Sequence, residues 1–130
     1  MNELINRAVK IWAYTVSHSV LILRSPMKFP DQEGYSEKLS YNIDVEFSAV
    51  TYIDIPNTMQ GIVIHEIEER IPEKMLNYKL KLGFKVFEIV SEGKFYYIVA
   101  GSYRIGKNRW ISEDRISNIL LEYDEILETT

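Results

Sequence analysis

The sequence predicts an α+β fold: an antiparallel sheet of about five to six strands, with an N-terminal, a middle and a C-terminal helix packed on it. Three observations carry this expectation. Apolar residues alternate with polar ones over long stretches, most clearly from Tyr41 to Ile55. Helical spacing surfaces near both ends and once in the middle. No regular strand–helix–strand alternation appears, which argues against a parallel sheet. With 130 residues, 46% of them apolar and 26% charged, the chain 1–130 reads as a single domain able to bury a core without disulfides or metal.

The elements follow in order. Leu4, Ile5, Ala8, Val9 and Trp12 form an apolar stripe that predicts a short first helix. From Trp12 the period becomes two, with Tyr14, Val16, His18, Val20 and Ile22 on one face, and Arg24-Ser25-Pro26 ends the strand. Met27 to Ser40 has no period and reads as a long loop, a candidate mobile segment. Tyr41 to Ile55 is read as one long strand with one wet face, closed by Pro56-Asn57-Thr58. Gly61 to Ile67 is its expected antiparallel return.

Pro72 to Leu82 is predicted helical, with Met75, Leu76, Lys79, Leu80 and Leu82 inside it and Gly83 as the stop. Phe84 to Val90 and Phe95 to Ala100 form a hairpin around Ser91-Glu92-Gly93-Lys94. Its second strand runs on toward Gly106, with Gly101 and Gly106 marking a bulge or turn. Ser112 is expected to cap a last helix, with Ile116, Ile119, Leu120, Tyr123, Ile126 and Leu127 docking on the sheet.

Composition narrows the function classes. Without cysteine there is no thiolate chemistry, no Cys-ligated zinc and no disulfide. The first residues lack a basic region followed by an apolar run, and no apolar run has the length of a membrane span, so a cytoplasmic protein without membrane contact is expected. A net charge of −4 disfavours nucleic acid as a partner. No cofactor is called for.

Few residues suggest chemistry. His18 sits between Ser17 and Ser19, but in a strand the serines would face away from it, and no elbow glycines surround them. His65 beside Glu66 lacks metal-ligand spacing, so no metal site and no catalytic set is assigned. Asp44, Glu46 and Asp54, followed by Glu66, Glu68 and Glu69, read as a solvated sheet face. If that face is functional, it suits a basic protein partner better than catalysis. Tyr103, Arg104, Lys107, Arg109 and Trp110 interleave cations with aromatics near glycines, a mixture that fits ligand or partner contact but is no P-loop. Tyr52, Tyr96, Tyr97 and Tyr103 lie in strands, so some are expected on an exposed aromatic face.

Two readings result. The first is a small cytoplasmic protein-binding domain of accessory, inhibitor or immunity type, or a self-associating one, using Asp44 and Glu46. The second is a small-molecule or nucleotide-binding module, with or without enzymatic activity, built on Tyr103 to Trp110.

Overall fold

The computed structural model describes residues 3–79 and 83–130. Among them, ten strands form two antiparallel sheets. The first contains β1 (Ala8–Thr15), β2 (Val20–Ser25), β3 (Asn42–Ser48), β5 (Thr58–Gln60), β9 (Ser102–Asn108) and β10 (Glu125–Thr129), in the order β10-β9-β3-β2-β1-β5. The second contains β4 (Tyr52–Asp54), β6 (Val63–Ile67), β7 (Lys85–Ser91) and β8 (Lys94–Ala100), in the order β4-β8-β7-β6.

Two long strands bend together and join the sheets. β3 runs into β4 through Ala49, whose φ of 55° is a left-handed conformation that turns the chain out of the first sheet. β8 runs into β9 through Gly101, whose N–H donates to the Ser48 carbonyl at 2.9 Å. A Cβ on Gly101 would lie 3.2 Å from that of Ala49, so glycine lets the two corners nest. β3 therefore pairs with β9 on one side of the bend, and β4 with β8 on the other.

The bend brings the inner faces together. Leu21, Leu23, Ile43, Val45 and Phe47 from the first sheet meet Phe87, Ile89 and Ile98 from the second, all fully buried. Each such side chain contributes about 1.5–3 kcal/mol relative to exposure. Phe47, Phe87 and Tyr103 pack with ring centroids 5.1 to 5.8 Å apart at the centre. The outer face of the second sheet is covered by the helix α1 (Glu73–Lys79), whose Met75 is buried with Val86 and Val99. The outer face of the first is crossed by residues 109–124, an irregular strap between β9 and β10.

The α+β class and the antiparallel six-stranded sheet agree with the sequence, as does the β7–β8 hairpin. Other expectations need correction. Among the described residues one α-helix forms rather than three. The N-terminal stripe becomes a 3-10 turn at Glu3–Asn6 followed by β1, so Val9 reaches the core from a strand, not a helix. The strand expected from Trp12 is a hairpin broken at Val16–Ser19, where Ser19 has a φ of 51°. The long strand to Ile55 is two strands around the corner. β6 pairs with β7 rather than returning along that strand, while β5 pairs with β1.

The last predicted helix is absent: Asp114 Oδ1 accepts the N–H groups of Ile116 and Ser117, both at 2.8 Å, and only two short turns follow, closed by Asn118 N–H to the Asp114 carbonyl and Leu121 N–H to that of Asn118. The middle helix is present as α1, and the expected continuation through Leu80 and Leu82 lies outside the described residues. Among the described residues no helix is long and apolar enough to cross a membrane.

Candidate functional site

The polar alternation of β3 places Asn42, Asp44 and Glu46 on the outer face of the six-stranded sheet. Register aligns them with neighbours: Asn42 with Asn108, Asp44 with Arg24 and Gly106, and Glu46 with Ile22 and Arg104. The sequence reads this as a wet face. The strap buries it instead: Asp44 is 0% exposed, Arg24 1% and Glu46 6%.

Asp44 and Arg24 form a two-pronged ion pair, with Nε to Oδ1 at 2.6 Å and Nη2 to Oδ2 at 2.8 Å. Such planar pairing is the strongest arrangement available to these groups. Arg24 Nη2 also donates to the Glu113 carbonyl at 2.9 Å, fastening the strap. The guanidinium lies over Trp12 at 4.5 Å and Trp110 at 6.0 Å, and its remaining nitrogen, Nη1, has no hydrogen-bond acceptor among the described residues, so the indole faces provide part of its stabilisation. Burial pushes the Asp44 carboxyl above its ordinary pKa, against the opposing pull of Arg24 and of Asn108, whose amide donates to Oδ2 at 3.0 Å.

Glu46 anchors the far half of the strap. It accepts Arg115 Nε at 3.0 Å and the Tyr123 hydroxyl at 2.8 Å, with Arg104 Nη2 at 3.5 Å. Arg115 in turn donates to the carbonyls of Ile119 and Leu121. Asn42 donates to the Trp110 carbonyl at 2.7 Å. Tyr123 lies flat on Gly106: a Cβ there would fall 2.4 Å from its Cγ. Burial, and then the charge of Glu46, raise the Tyr123 pKa well beyond the usual phenol range, so the hydroxyl stays a donor.

With Arg115 and Tyr123 bonded to Glu46 on the sheet, the strap leaves three large aliphatic side chains in water beside its exposed acids. Ile111, Ile119 and Leu120 are 72%, 68% and 85% exposed, whereas Asp114 is buried and Arg115 and Tyr123 are half-buried. This inverts the usual arrangement of a covering segment.

The residues read as a basic–aromatic cluster are not one site. Tyr103 faces the core and donates to Glu128. Arg104 and Trp110 belong to the outer face. Lys107 lies over the Tyr41 ring at 4.2 Å, near Glu3 and Glu125. Arg109 is exposed at the mouth of a shallow cleft shared with Phe29 and Ile111. A larger cleft of about 650 Å³ runs along Arg7, Ser25, Lys28 and Gln60, but Arg7 is already donating to the carbonyls of Ser25, Lys38 and Tyr41.

The tyrosines do not form an exposed face either. Tyr52 stacks on Tyr78 beside α1 at 5.0 Å, and Tyr96 packs toward the core. The remaining acids also separate: Asp54 pairs with Lys74 at 2.7 Å, and Glu66 lies 3.7 Å from Lys85.

His18 corrects a sequence expectation. It lies in the β1–β2 turn rather than a strand, and there its Nδ1 is 2.9 Å from Ser17 Oγ. The pair is exposed at the hairpin tip. His65 is an exposed strand residue opposite Glu88. Among the described residues no group of three or more His, Asp or Glu side chains could hold a metal ion.

Sequence reasoning misses Arg24, Trp12, Asn108, Arg115 and Tyr123 as parts of one layer. A usable signal is the single arginine ending the apolar run Val20–Leu23, next to a strand carrying Asp44. The chain matches no protein-family model, and neither curated proteins nor solved structures give a match to it.

Proposed function

We propose that this chain is a protein-binding domain, of accessory, inhibitor or immunity type, whose partner docks on the outward side of the strap. The observation supporting this reading is the inversion: three large aliphatic side chains face water on a segment whose Arg115, Tyr123 and Glu113 carbonyl are held against the sheet beneath it. One exposed leucine is ordinary, but several on one anchored segment point to a surface that a partner covers. Full burial of each would contribute about 1.5–3 kcal/mol to a complex. The anchoring matters as much as the apolar area, because a strap already fixed by Glu46 and Arg24 loses little conformational freedom on binding. A cytoplasmic location belongs to the same proposal, and the absence of cysteine is compatible with it.

The test is site-specific photocrosslinking in cells of the source, with the reactive side chain at position 119 or 120 and, as control, at position 95, where Phe95 is 58% exposed on the other sheet. The strap positions are expected to give a discrete adduct that position 95 does not. Equal labelling from all three positions, or none from the strap, would overturn the reading.

A further inference from the structure

Among the described residues, β10 is the outermost strand of the six-stranded sheet, with β9 on one side and no strand on the other. Such an edge presents backbone donors and acceptors to any extended chain that reaches it. Proteins usually guard edges with charge or a bulge, and β10 has both. Its guard is all of one sign. Residues 111–130 hold six carboxylates and one arginine, a net of −5, although the whole chain carries only −4. Arg115 is committed to Glu46, while Glu113, Glu122, Asp124, Glu125 and Glu128 are exposed.

The bulge arranges two of these charges. Glu125 pairs with Lys107 and Glu128 with Ile105, so skipping Leu127 in the register puts both carboxylates on the same face of the sheet, while Ile126 and Thr129 take the other. Lys107 and Tyr103, which touch these carboxylates, reach them from β9 and leave the outer edge open.

We propose that the β10 edge takes up an extended cationic segment of a partner protein as a seventh strand. This rests on the protein-binding reading and gives that partner its chemistry. Alternate lysines or arginines would meet Glu125 and Glu128, and the residues between them would cover Ile126, which is 43% exposed. A second copy of this chain is disfavoured, because edge-to-edge pairing would bring carboxylates together. Nucleic acid is repelled by the same charges.

The test uses the full chain labelled with ¹⁵N and three capped hexapeptides: alternating Lys–Val, alternating Glu–Val, and Lys–Val interrupted by a central proline. The Lys–Val peptide is expected to give saturable shifts centred on the amides of Glu125–Thr129, weakened several-fold at about 0.5 M salt, and weakened again in the Glu125→Gln/Glu128→Gln variant. The Glu–Val and proline peptides are expected to give none.

Equal binding of the proline peptide would show charge attraction without strand addition and overturn the proposal. So would shifts centred elsewhere, no shifts, or concentration-dependent shifts of β10 without peptide, which would assign the edge to a second copy. Crosslinking from positions 119 and 120 reports on the strap independently, so failure at the edge is distinguishable from failure of the protein-binding reading.

Discussion

The two sheets close their outer faces by opposite means. α1 covers the four-stranded sheet with an apolar contact, Met75 on Val86 and Val99, and its ion pair, Lys74 with Asp54, stays at the exposed rim. The strap covers the six-stranded sheet through the Arg115–Glu46 ion pair and the amide bond from Asn42, over the buried Arg24–Asp44 pair, and leaves Ile111, Ile119 and Leu120 in water. An apolar lid is held without direction and loses stability in proportion to what is removed. A polar lid depends on pairing, so removing one partner leaves a buried charge behind.

The largest expected effect tests that dependence. Arg24→Met strands the Asp44 carboxylate and is expected to cost about 3–5 kcal/mol by urea denaturation, while Arg24→Met with Asp44→Leu costs clearly less than the single change. A double variant as unstable as the single would remove the contrast between the lids. Met75→Ala on the apolar lid is expected to cost about 2–5 kcal/mol, toward the lower end because a short helix can settle into the space. Hydrogen exchange should show the loss around α1, with the amides of residues 114–121 unchanged.

Smaller effects sharpen the comparison. Gly106→Ala pushes a Cβ into the Tyr123 ring and is expected to cost about 1–3 kcal/mol, with part of the loss recovered when Tyr123 is also cut to alanine. It should also alter the fluorescence of Trp110, whose ring centroid is 5.4 Å from that of Tyr123.

The smallest effect is alkaline. Tyr123 and Tyr103 are both held above the ordinary phenol pKa of 10.0 in the folded protein, burial being the first cause in each. The folded state therefore keeps protons that the unfolded state releases. The stability these groups provide is complete below about pH 10 and falls as pH rises above it. Urea midpoints should drop between about pH 9 and pH 11, and less so in Tyr123→Phe.

How much of this was legible in the sequence differs between the lids. The β7–β8 hairpin announces itself through β-branched runs around Glu92-Gly93, and α1 through proline and helical spacing, because both rest on local chemistry. The alternation in β3 is equally plain. What it cannot convey is that Asp44 and Glu46 meet arginines from distant segments, Arg24 and Arg115, and so can be buried. The corner at Ala49 is silent because alanine gives no sign of a left-handed φ.

The strap misleads for another reason. Ile116, Ile119, Leu120 and Tyr123 have helical spacing, but periodicity says only that two faces differ and not which one is turned inward. The acidic bias of residues 111–130 was present in the sequence and is the clue that this segment differs from the rest.

The absence of cysteine makes the central claim directly measurable by single-cysteine labelling. Cysteine placed at 119 or 120 should react with a thiol reagent at the rate of an unstructured thiol, while cysteine at 22, where Ile22 is fully buried under the strap, should react only as the protein opens. Fast labelling at 119 and 120 with protection at 22 is the predicted result. Protection at 119 and 120 would mean that the aliphatic residues face the sheet after all, and would contradict an inverted strap over a polar layer.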